Sequence, residues 1–354
     1  MNLKSPFPYF GGKRRIAHEV WRRFGDVPNY VEPFFGSGAV LLNRPLPFDG
    51  VETVNDKDGL LANFWRALKA DPEQVAHFAD WPVNENDLHA RHSWLVGQKE
   101  PLQAKLEGDA DYFDCKVAGW WVWGIACWIG GEFCSGNGPW KVVEVDGERQ
   151  LVHLGSAGQG VNRRLAHLGN AGRGVNRRRD NHSENLAGYF RELAERLRHV
   201  RVCCGDWTRV MGGDTGEALR LHFVSGNQCA IFLDPPYADT AKRCNNIYAH
   251  DCLSVAHDVR EWAIKHGDDK RYRIALCGFD GEHEMPDSWA VIVGKAGGGN
   301  GYGGQSKDGK YKNKGRERIW FSPHCLPGNS DIEIDPETQA TKRNRGLFDL
   351  AGVA

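Results

Sequence analysis

The feature that most constrains this chain is an apolar run, residues 229–233, which ends directly in Asp234, Pro235, Pro236 and Tyr237. The run Cys-Ala-Ile-Phe-Leu is typical of a buried strand. In open α/β sheets, ligands bind at the carboxyl ends of the strands. The prolines have no backbone N–H, and their carbonyl oxygens, together with the Asp234 carboxylate, can accept hydrogen bonds from an amino group. Tyr237 can stack on a flat heterocycle. The alternative interpretation is an ordinary Asp-Pro turn.

A second motif follows a short predicted strand at Tyr30 and Val31 and consists of Glu32, Pro33, Phe34, Gly36, Ser37 and Gly38. The two glycines let the backbone approach a ligand closely, and the helix predicted after them favours an anionic group. The third glycine of the dinucleotide-binding fingerprint is absent. Asp56 ends the next predicted strand, in the place of a ribose-binding acid. The sequence therefore predicts a nucleoside-bearing cofactor without a pyrophosphate, and S-adenosyl-L-methionine is the candidate.

A third motif at the N-terminus combines an aromatic residue, two glycines and a cation: Tyr9, Gly11, Gly12 and Lys13. Lys13 is a candidate to hold a carboxylate and Tyr9 to cover an adenine ring. The alternative is a frayed N-terminal loop.

Taken in order, Gly-Gly-Lys at 11–13, Glu-Pro-Phe-x-Gly-x-Gly at 32–38 and Asp-Pro-Pro-Tyr at 234–237 resemble the Dam-type (alpha-order) adenine DNA methyltransferases. The resemblance covers residues 5–70 and 185–325. It implies a Rossmann-like, seven-stranded S-adenosylmethionine-dependent methyltransferase sheet whose last strand is antiparallel. It also implies methylation of the N6 amino group of adenine in duplex DNA, with the target base flipped out of the helix.

The resemblance assigns catalysis to residues 234–237 and cofactor binding to the two earlier motifs and Asp56. It further implies that Asp206 and Trp207, after a predicted strand at 200–204, lie beside the cofactor adenine. An aspartate at the end of a strand can instead cap the helix that follows.

Three alternative functions remain open. The same acceptors can serve the N4 amino group of cytosine, although aspartate at the first position of the tetrapeptide favours adenine. A protein that holds the cofactor and binds DNA without turnover is a second alternative, and an RNA methyltransferase is a third. Methylation at carbon-5 of cytosine is disfavoured, because it needs a nucleophilic cysteine, usually after proline, and the chain has no Pro-Cys pair.

The resemblance divides the chain into a catalytic domain at residues 1–75 and 185–326, an inserted target-recognition region of helices and loops at 76–184, and a tail at 327–354. The insertion contains a tandem repeat, residues 153–164 and 167–178, that is rich in arginine and glycine. Such residues suit contacts with phosphates and base edges. The predicted DNA-binding residues are Asn162, Arg163, Arg164, Arg173, Asn176, Arg177, Arg178 and Arg179. The alternative is a duplicated solvated loop.

Two further segments carry structural expectations. The tryptophan-rich run at 117–128 predicts a buried helix that forms a small core of the insertion, with nucleotide stacking as the alternative. Two strands predicted at 289–293 and 318–321 should pair antiparallel at the sheet edge. The basic loop between them, residues 295–315, either closes over DNA or lies on the surface.

Composition agrees with these assignments. The ten cysteines include no Cys-x-x-Cys pair, so reduced, packed thiols are expected and no metal site is predicted. No signal peptide or membrane-spanning stretch is recognisable, which predicts a soluble cytoplasmic protein with no membrane partner. A homodimer is a further expectation by analogy with symmetric DNA-reading proteins.

Overall fold

A computed structural model describes residues 3–7, 13–128, 133–134, 140–145, 148–153, 182–212, 228–236, 254–293 and 316–328. The strands are β1 (Asn29–Glu32), β2 (Val51–Asp56), β3 (Trp140–Val145), β4 (Glu148–His153), β5 (Val200–Cys204), β6 (Cys229–Leu233), β7 (Tyr272–Phe279), β8 (Ala290–Val293) and β9 (Glu317–Phe321). The helices are α1 (Ala17–Phe24), α2 (Gly59–Ala70), α3 (Pro72–Ala79), α4 (Glu85–Gly108), α5 (Cys115–Cys127), α6 (His182–Leu197), α7 (Thr208–Met211) and α8 (Val255–Gly267).

Seven of these strands form one sheet in the order β5-β2-β1-β6-β7-β9-β8. Neighbouring strands from β5 to β7 are parallel, whereas β9 is antiparallel to both β7 and β8. The strand order reverses between β1 and β6, and such a switch point is where open α/β sheets bind ligands. The Rossmann-like methyltransferase fold and the antiparallel edge pair are thereby confirmed. Strands β3 and β4 form a separate antiparallel hairpin.

Four of the helices between β2 and β5 begin at polar caps. The side chains of Asp58, Asp71, Asn84 and Asp114 accept hydrogen bonds from backbone N–H groups in the first turns of α2, α3, α4 and α5. Each cap satisfies one of the donors that a helix start leaves without an intrahelical acceptor.

The helix predicted after Gly38 is largely absent. A single 3-10 turn, Leu41–Asn43, follows, and Arg44 is extended at φ −59° and ψ 130°. Pro45 explains the stop, because the residue before a proline is disfavoured in the helical region.

Alternating side chains of the sheet pack into two cores. Tyr30, Val54 and Phe232 contribute to the core that contains α1 and α2, whereas residues such as Val31 and Ile231 face α7 and α8. Alternation follows from the two-residue period of a strand. Side chains at paired positions of neighbouring strands therefore lie on the same face of the sheet.

Helix α5 is buried as predicted, but it does not form a core of its own. Trp121 and Trp123 are at most 2% exposed and belong to the same hydrophobic cluster as α2, α6 and the sheet. Because almost all residues of α5 are apolar, most of its surface needs cover, and α2, α3 and α4 supply it. The expectation of a separate small core was therefore wrong for residues 115–128.

A buried ion cluster joins β2 to α6. Glu52 Oε2 accepts from Arg196 Nη1 at 2.7 Å, while Glu52 Oε1 accepts from Arg196 Nη2 at 2.9 Å and from Arg44 Nη1 at 3.1 Å. The three side chains are 2–7% exposed. Both guanidiniums also lie over the ring of Phe48. This cluster fixes α6, the last helix before β5, to β2.

Within the described ranges no helix is long and apolar enough to cross a membrane. The eight cysteines in the same part of the chain are free thiols, five of them buried.

Candidate active site

Three carboxylates lie at the carboxyl ends of neighbouring strands. Glu32 is the last residue of β1, Asp56 is the last residue of β2, and Asp234 follows β6 directly. Glu32 pairs with Val54 across the sheet, so the side chains of Glu32 and Asp56 emerge on the same face. The structure thus brings together acids that are up to about 200 residues apart in the sequence, at the switch point where ligands bind in such sheets.

Asp234 is held by a buried lysine. Lys13 Nζ lies 2.8 Å from Asp234 Oδ2 and 2.9 Å from Glu317 Oε1, and the Lys13 side chain is only 4% exposed. Lys13 precedes α1 and contributes the carbonyl that begins it, accepting from Ile16 and Ala17. The sequence predicted Lys13 as a carboxylate holder for the cofactor, whereas its carboxylate partners here are the protein's own.

Burial and the neighbouring charged groups shift the pKa of Asp234 in opposite directions. Burial raises the pKa of Asp234, and the Lys13 ammonium lowers it. Glu317 adds a smaller raising effect, and a hydrogen bond from the Cys277 thiol lowers the pKa slightly. Because burial is the largest of these effects, the net pKa lies above that of a free aspartate. Such perturbed carboxylates cluster at functional sites.

Glu32 is buried beside Asp234 and is fixed by a tyrosine. The Tyr30 hydroxyl donates to Glu32 Oε2 at 2.8 Å, and the glutamate is 2% exposed. Burial raises the pKa of Glu32 well above its ordinary value, the Tyr30 hydrogen bond lowers it, and the charge of Asp234 raises it further. Glu32 is therefore held in one position beside Asp234, and its charged form is disfavoured.

The glycine turn after β1 contacts Asp56. Gly36 N–H donates to Asp56 Oδ2 at 3.0 Å, and Asp58 N–H donates to Asp56 Oδ1 at 2.9 Å. Burial raises the pKa of Asp56 to about 7, although these two backbone donors lower it. Gly38 has φ +68°, and a Cβ there would lie 2.8 Å from the ring of Phe35. The second glycine is thus required by both conformation and space.

The end of β5 lies next to this turn. The Asn55 side-chain amide donates to the carbonyls of Pro33 and Gly205 at 3.1 and 3.0 Å, which joins the ends of β1 and β5. Trp207 stacks on Phe34 with ring centroids 6.4 Å apart and an interplanar angle of 28°. Two predicted cofactor residues therefore form one aromatic surface beside the glycine turn.

One carboxylate oxygen of Asp206 binds the start of the following helix, which is the alternative that the sequence left open for this residue. Its Oδ1 accepts from the Thr208 N–H at 3.1 Å and from the Thr208 hydroxyl at 2.7 Å, at the start of α7. Its Oδ2 lies 4.0 Å from Lys57 Nζ. The carboxylate is about half exposed, so it remains accessible at the edge of the site.

Several predicted residues lie outside the described residues. They are Tyr9, Gly11, Gly12, Tyr237, Asn162, Arg163, Arg164, Arg173, Asn176, Arg177, Arg178 and Arg179. Their roles stay predictions. Pro235 is buried and Pro236 is half-buried, next to Asp234, and Ser37 is buried in the glycine turn.

Sequence reasoning missed Glu317 and Cys277. Glu317 is the first residue of β9 and shares a sheet face with the buried Ile319 and Phe321. A charged residue on the strand face that is otherwise apolar is the sequence feature that could have identified Glu317. Across the described part of the chain, no group of three or more His, Cys, Asp or Glu side chains is placed to hold a metal ion.

The sheet order, with an acidic row at its carboxyl edge, is that of a Rossmann-like fold. Residues 9–91 match the family model described as D12 class N6 adenine-specific DNA methyltransferase. The chain is similar to two proteins named DNA adenine methylase from Vibrio cholerae serotype O1, of the Classical Ogawa and El Tor Inaba strains. Each is 33% identical over 78 residues, which is 22% of this chain and 27% of the relative.

The chain thus aligns with about a quarter of the length of the curated relatives it matches. The matched segment contains Lys13, the glycine turn and Asp56. The resemblance to adenine-specific DNA methyltransferases is confirmed for that segment.

Proposed function

We propose that this protein is a site-specific DNA methyltransferase that transfers a methyl group from S-adenosyl-L-methionine to the N6 amino group of adenine in duplex DNA. The observation that carries the proposal is the position of Asp234. Its carboxylate is fixed by Lys13 and followed by two prolines, at the same sheet edge as the glycine turn and Asp56. The match of residues 9–91 to the D12 class supports the choice of adenine.

The residues at this edge fit the cofactor. S-adenosyl-L-methionine supplies a methyl group bound to a positively charged sulfur. Asp56 is placed to accept from ribose hydroxyls, and the Phe34–Trp207 pair offers an apolar surface for the adenine ring. Asp206, whose side chain is about half exposed, is placed to accept from the adenine amino group. In its ionised form, Asp56 gives this edge a negative charge that suits a cationic group.

Asp234 acts on the target amino group. The lone pair of that nitrogen is delocalised into the ring, and hydrogen bonds from the amino group to Asp234 and the Pro235 carbonyl favour a more tetrahedral, more nucleophilic nitrogen. A carboxylate has about four lone-pair sites, so the contact between Lys13 and Oδ2 leaves capacity for this bond. When the nitrogen forms its new bond to the methyl carbon, the bond between that carbon and sulfur breaks with S-adenosylhomocysteine as the leaving group, and the nitrogen loses one proton. Asp234 is placed to receive that proton because burial raises its pKa. Catalysis then rests on positioning and electrostatics.

The DNA contacts of the proposal involve the other predicted residues. A base inside a duplex cannot reach Asp234, so the adenine is flipped out, and Tyr237 stacks on it. The region 76–184 recognises the target, and the arginines and asparagines of the tandem repeat contact phosphates and base edges. A homodimer remains a prediction.

The test compares Asp234→Ala with Asp111→Ala, the same change at an exposed position on the loop between α4 and α5. Asp234→Ala should lower methyl transfer to unmethylated duplex DNA about 100-fold or more. The cofactor affinity of this variant, measured by calorimetry, should stay within about two-fold of the wild-type affinity. A two-fold change is well below the ten-fold change that about 1.4 kcal/mol of binding free energy produces. Asp111→Ala should match the wild type in both. Normal turnover by Asp234→Ala would refute the catalytic assignment.

A further inference from the structure

Glu317 forms a second ion pair with Lys13, the lysine that holds Asp234. It pairs with Phe279 in the antiparallel ladder between β7 and β9, and Cys277 pairs with Ile319 in the same ladder. Leu233 pairs with Leu276 in the neighbouring ladder, so the next residues, Asp234 and Cys277, are neighbours. The side chains of Asp234, Cys277 and Glu317 therefore share one face of the sheet, and Lys13 lies across them.

We propose that Glu317 is a positioning residue that acts through Lys13: it shares the ammonium charge, so that Asp234 is held in place without being fully neutralised. The proposal rests on the function proposed above and assigns a role to a residue outside its motifs. Lys13 Nζ is nearly equidistant from the two carboxylates, at 2.8 and 2.9 Å. A lysine held by a single carboxylate has more freedom to rotate, because its flexible stem has four carbons.

The charge balance supports a functional role over a structural one. One ammonium and one carboxylate would neutralise each other, and a second, partly buried carboxylate adds an excess negative charge that costs desolvation energy. Glu317 is 16% exposed and Asp234 is 21% exposed, so neither charge is fully solvated. An excess negative charge at this point stabilises the positive charge that develops on the methylated nitrogen.

The groups that face Asp234 come from four elements. Lys13 precedes α1, Glu32 ends β1, Cys277 lies on β7 and Glu317 begins β9. Lys13 and the Cys277 thiol lower the pKa of Asp234, whereas Glu317 raises it. Neutralising Glu317 should therefore lower the pKa of Asp234, and neutralising Lys13 should raise it. These opposite directions make the proposal testable without an activity measurement.

The first test follows the Asp234 carboxyl by NMR in protein labelled with 13C-aspartate, with its resonance assigned by Asp234→Asn. Glu317→Gln should shift the titration to lower pH and Lys13→Gln should shift it to higher pH. Glu317→Asp keeps the charge and should stay closer to the wild type than Glu317→Gln. Glu195→Gln, at an exposed residue of α6, is the matched control and should leave the titration unchanged. An unchanged titration in Glu317→Gln would overturn the proposal.

The second test measures kinetics on unmethylated DNA. Glu317→Gln should lower kcat about 10- to 100-fold, the range that a small misplacement costs, with the KM for the cofactor nearly unchanged. The acid limb of its kcat profile should move to lower pH. If wild-type protein transfers no methyl group while the NMR shifts appear, the proposed function fails and the Glu317 contact stands. If the wild type is active and Glu317→Gln keeps the wild-type kcat and pH profile, the positioning role fails.

Discussion

Removal of the Glu52 carboxylate is expected to destabilise the protein strongly. Glu52 is 2% exposed and accepts three hydrogen bonds from Arg44 and Arg196, which are themselves 2% and 7% exposed. Glu52→Ala would leave two buried guanidiniums without their shared counter-charge. Breaking a buried pair in this way costs about 3–5 kcal/mol, a large part of the roughly 5–15 kcal/mol by which native proteins are stable.

The assay is thermal and urea unfolding of Glu52→Ala against Glu195→Ala. Glu195 faces Arg198 at 3.4 Å on the exposed side of α6, where both side chains are at least 67% exposed. An exposed pair of this kind contributes at most about 1 kcal/mol. At about 2–4 °C per kcal/mol, Glu52→Ala should lower Tm by roughly 6–20 °C and the control by only a few degrees. Equal, small effects in both variants would refute the reasoning that the buried cluster holds β2 to α6.

Two further predictions concern the ligands. Because burial raises the pKa of Asp56 to about 7 in the free protein, and a cationic cofactor favours its ionised form, cofactor affinity should rise as pH rises through 7 and fall below it. By calorimetry this dependence should disappear in Asp56→Asn, and an identical pH dependence in that variant would exclude Asp56 as its source. The double variant Arg177→Ala, Arg178→Ala should bind DNA more weakly than the wild type. The slope of log affinity against log salt concentration should become smaller by about 2, because two arginines no longer neutralise one phosphate each. An unchanged slope would indicate that the repeat is a solvated loop.

The sheet was predictable because its signals are local. The apolar run before Asp234 and the run with three β-branched residues before Asp56 each favour a strand, and the motifs at their ends mark the carboxyl edge. Parallel strands with helical crossovers leave few topologies. Glu32, Asp56 and Asp234 could therefore be placed at one edge from the sequence alone.

The contacts of Lys13 could not be predicted, because they depend on long-range register. Glu317 reaches Lys13 only because β9 runs antiparallel to β7 with Glu317 opposite Phe279. A shift of one residue would turn Glu317 to the other face of the sheet. The sequence interpretation for this reason assigned Lys13 to the cofactor.

The two remaining differences have local and global causes. Pro45 ends the predicted helix after Gly38, and its effect on Arg44 outweighs the apolar run that favours a helix there. Helix α5 belongs to the main core because its tryptophans fill space between α2, α3 and α4. No local pattern distinguishes a helix that covers a neighbouring domain from one that forms its own.

The most direct measurement of the central claim is incubation of the purified protein with methyl-labelled S-adenosyl-L-methionine and unmethylated duplex DNA, followed by nucleoside analysis. The account predicts label in N6-methyladenine with wild-type protein and about 100-fold less label or lower with Asp234→Ala. Label in N4-methylcytosine would retain the acceptor chemistry and contradict the choice of base. Absence of label in DNA, with the cofactor bound or with label found in RNA, would contradict the proposed function.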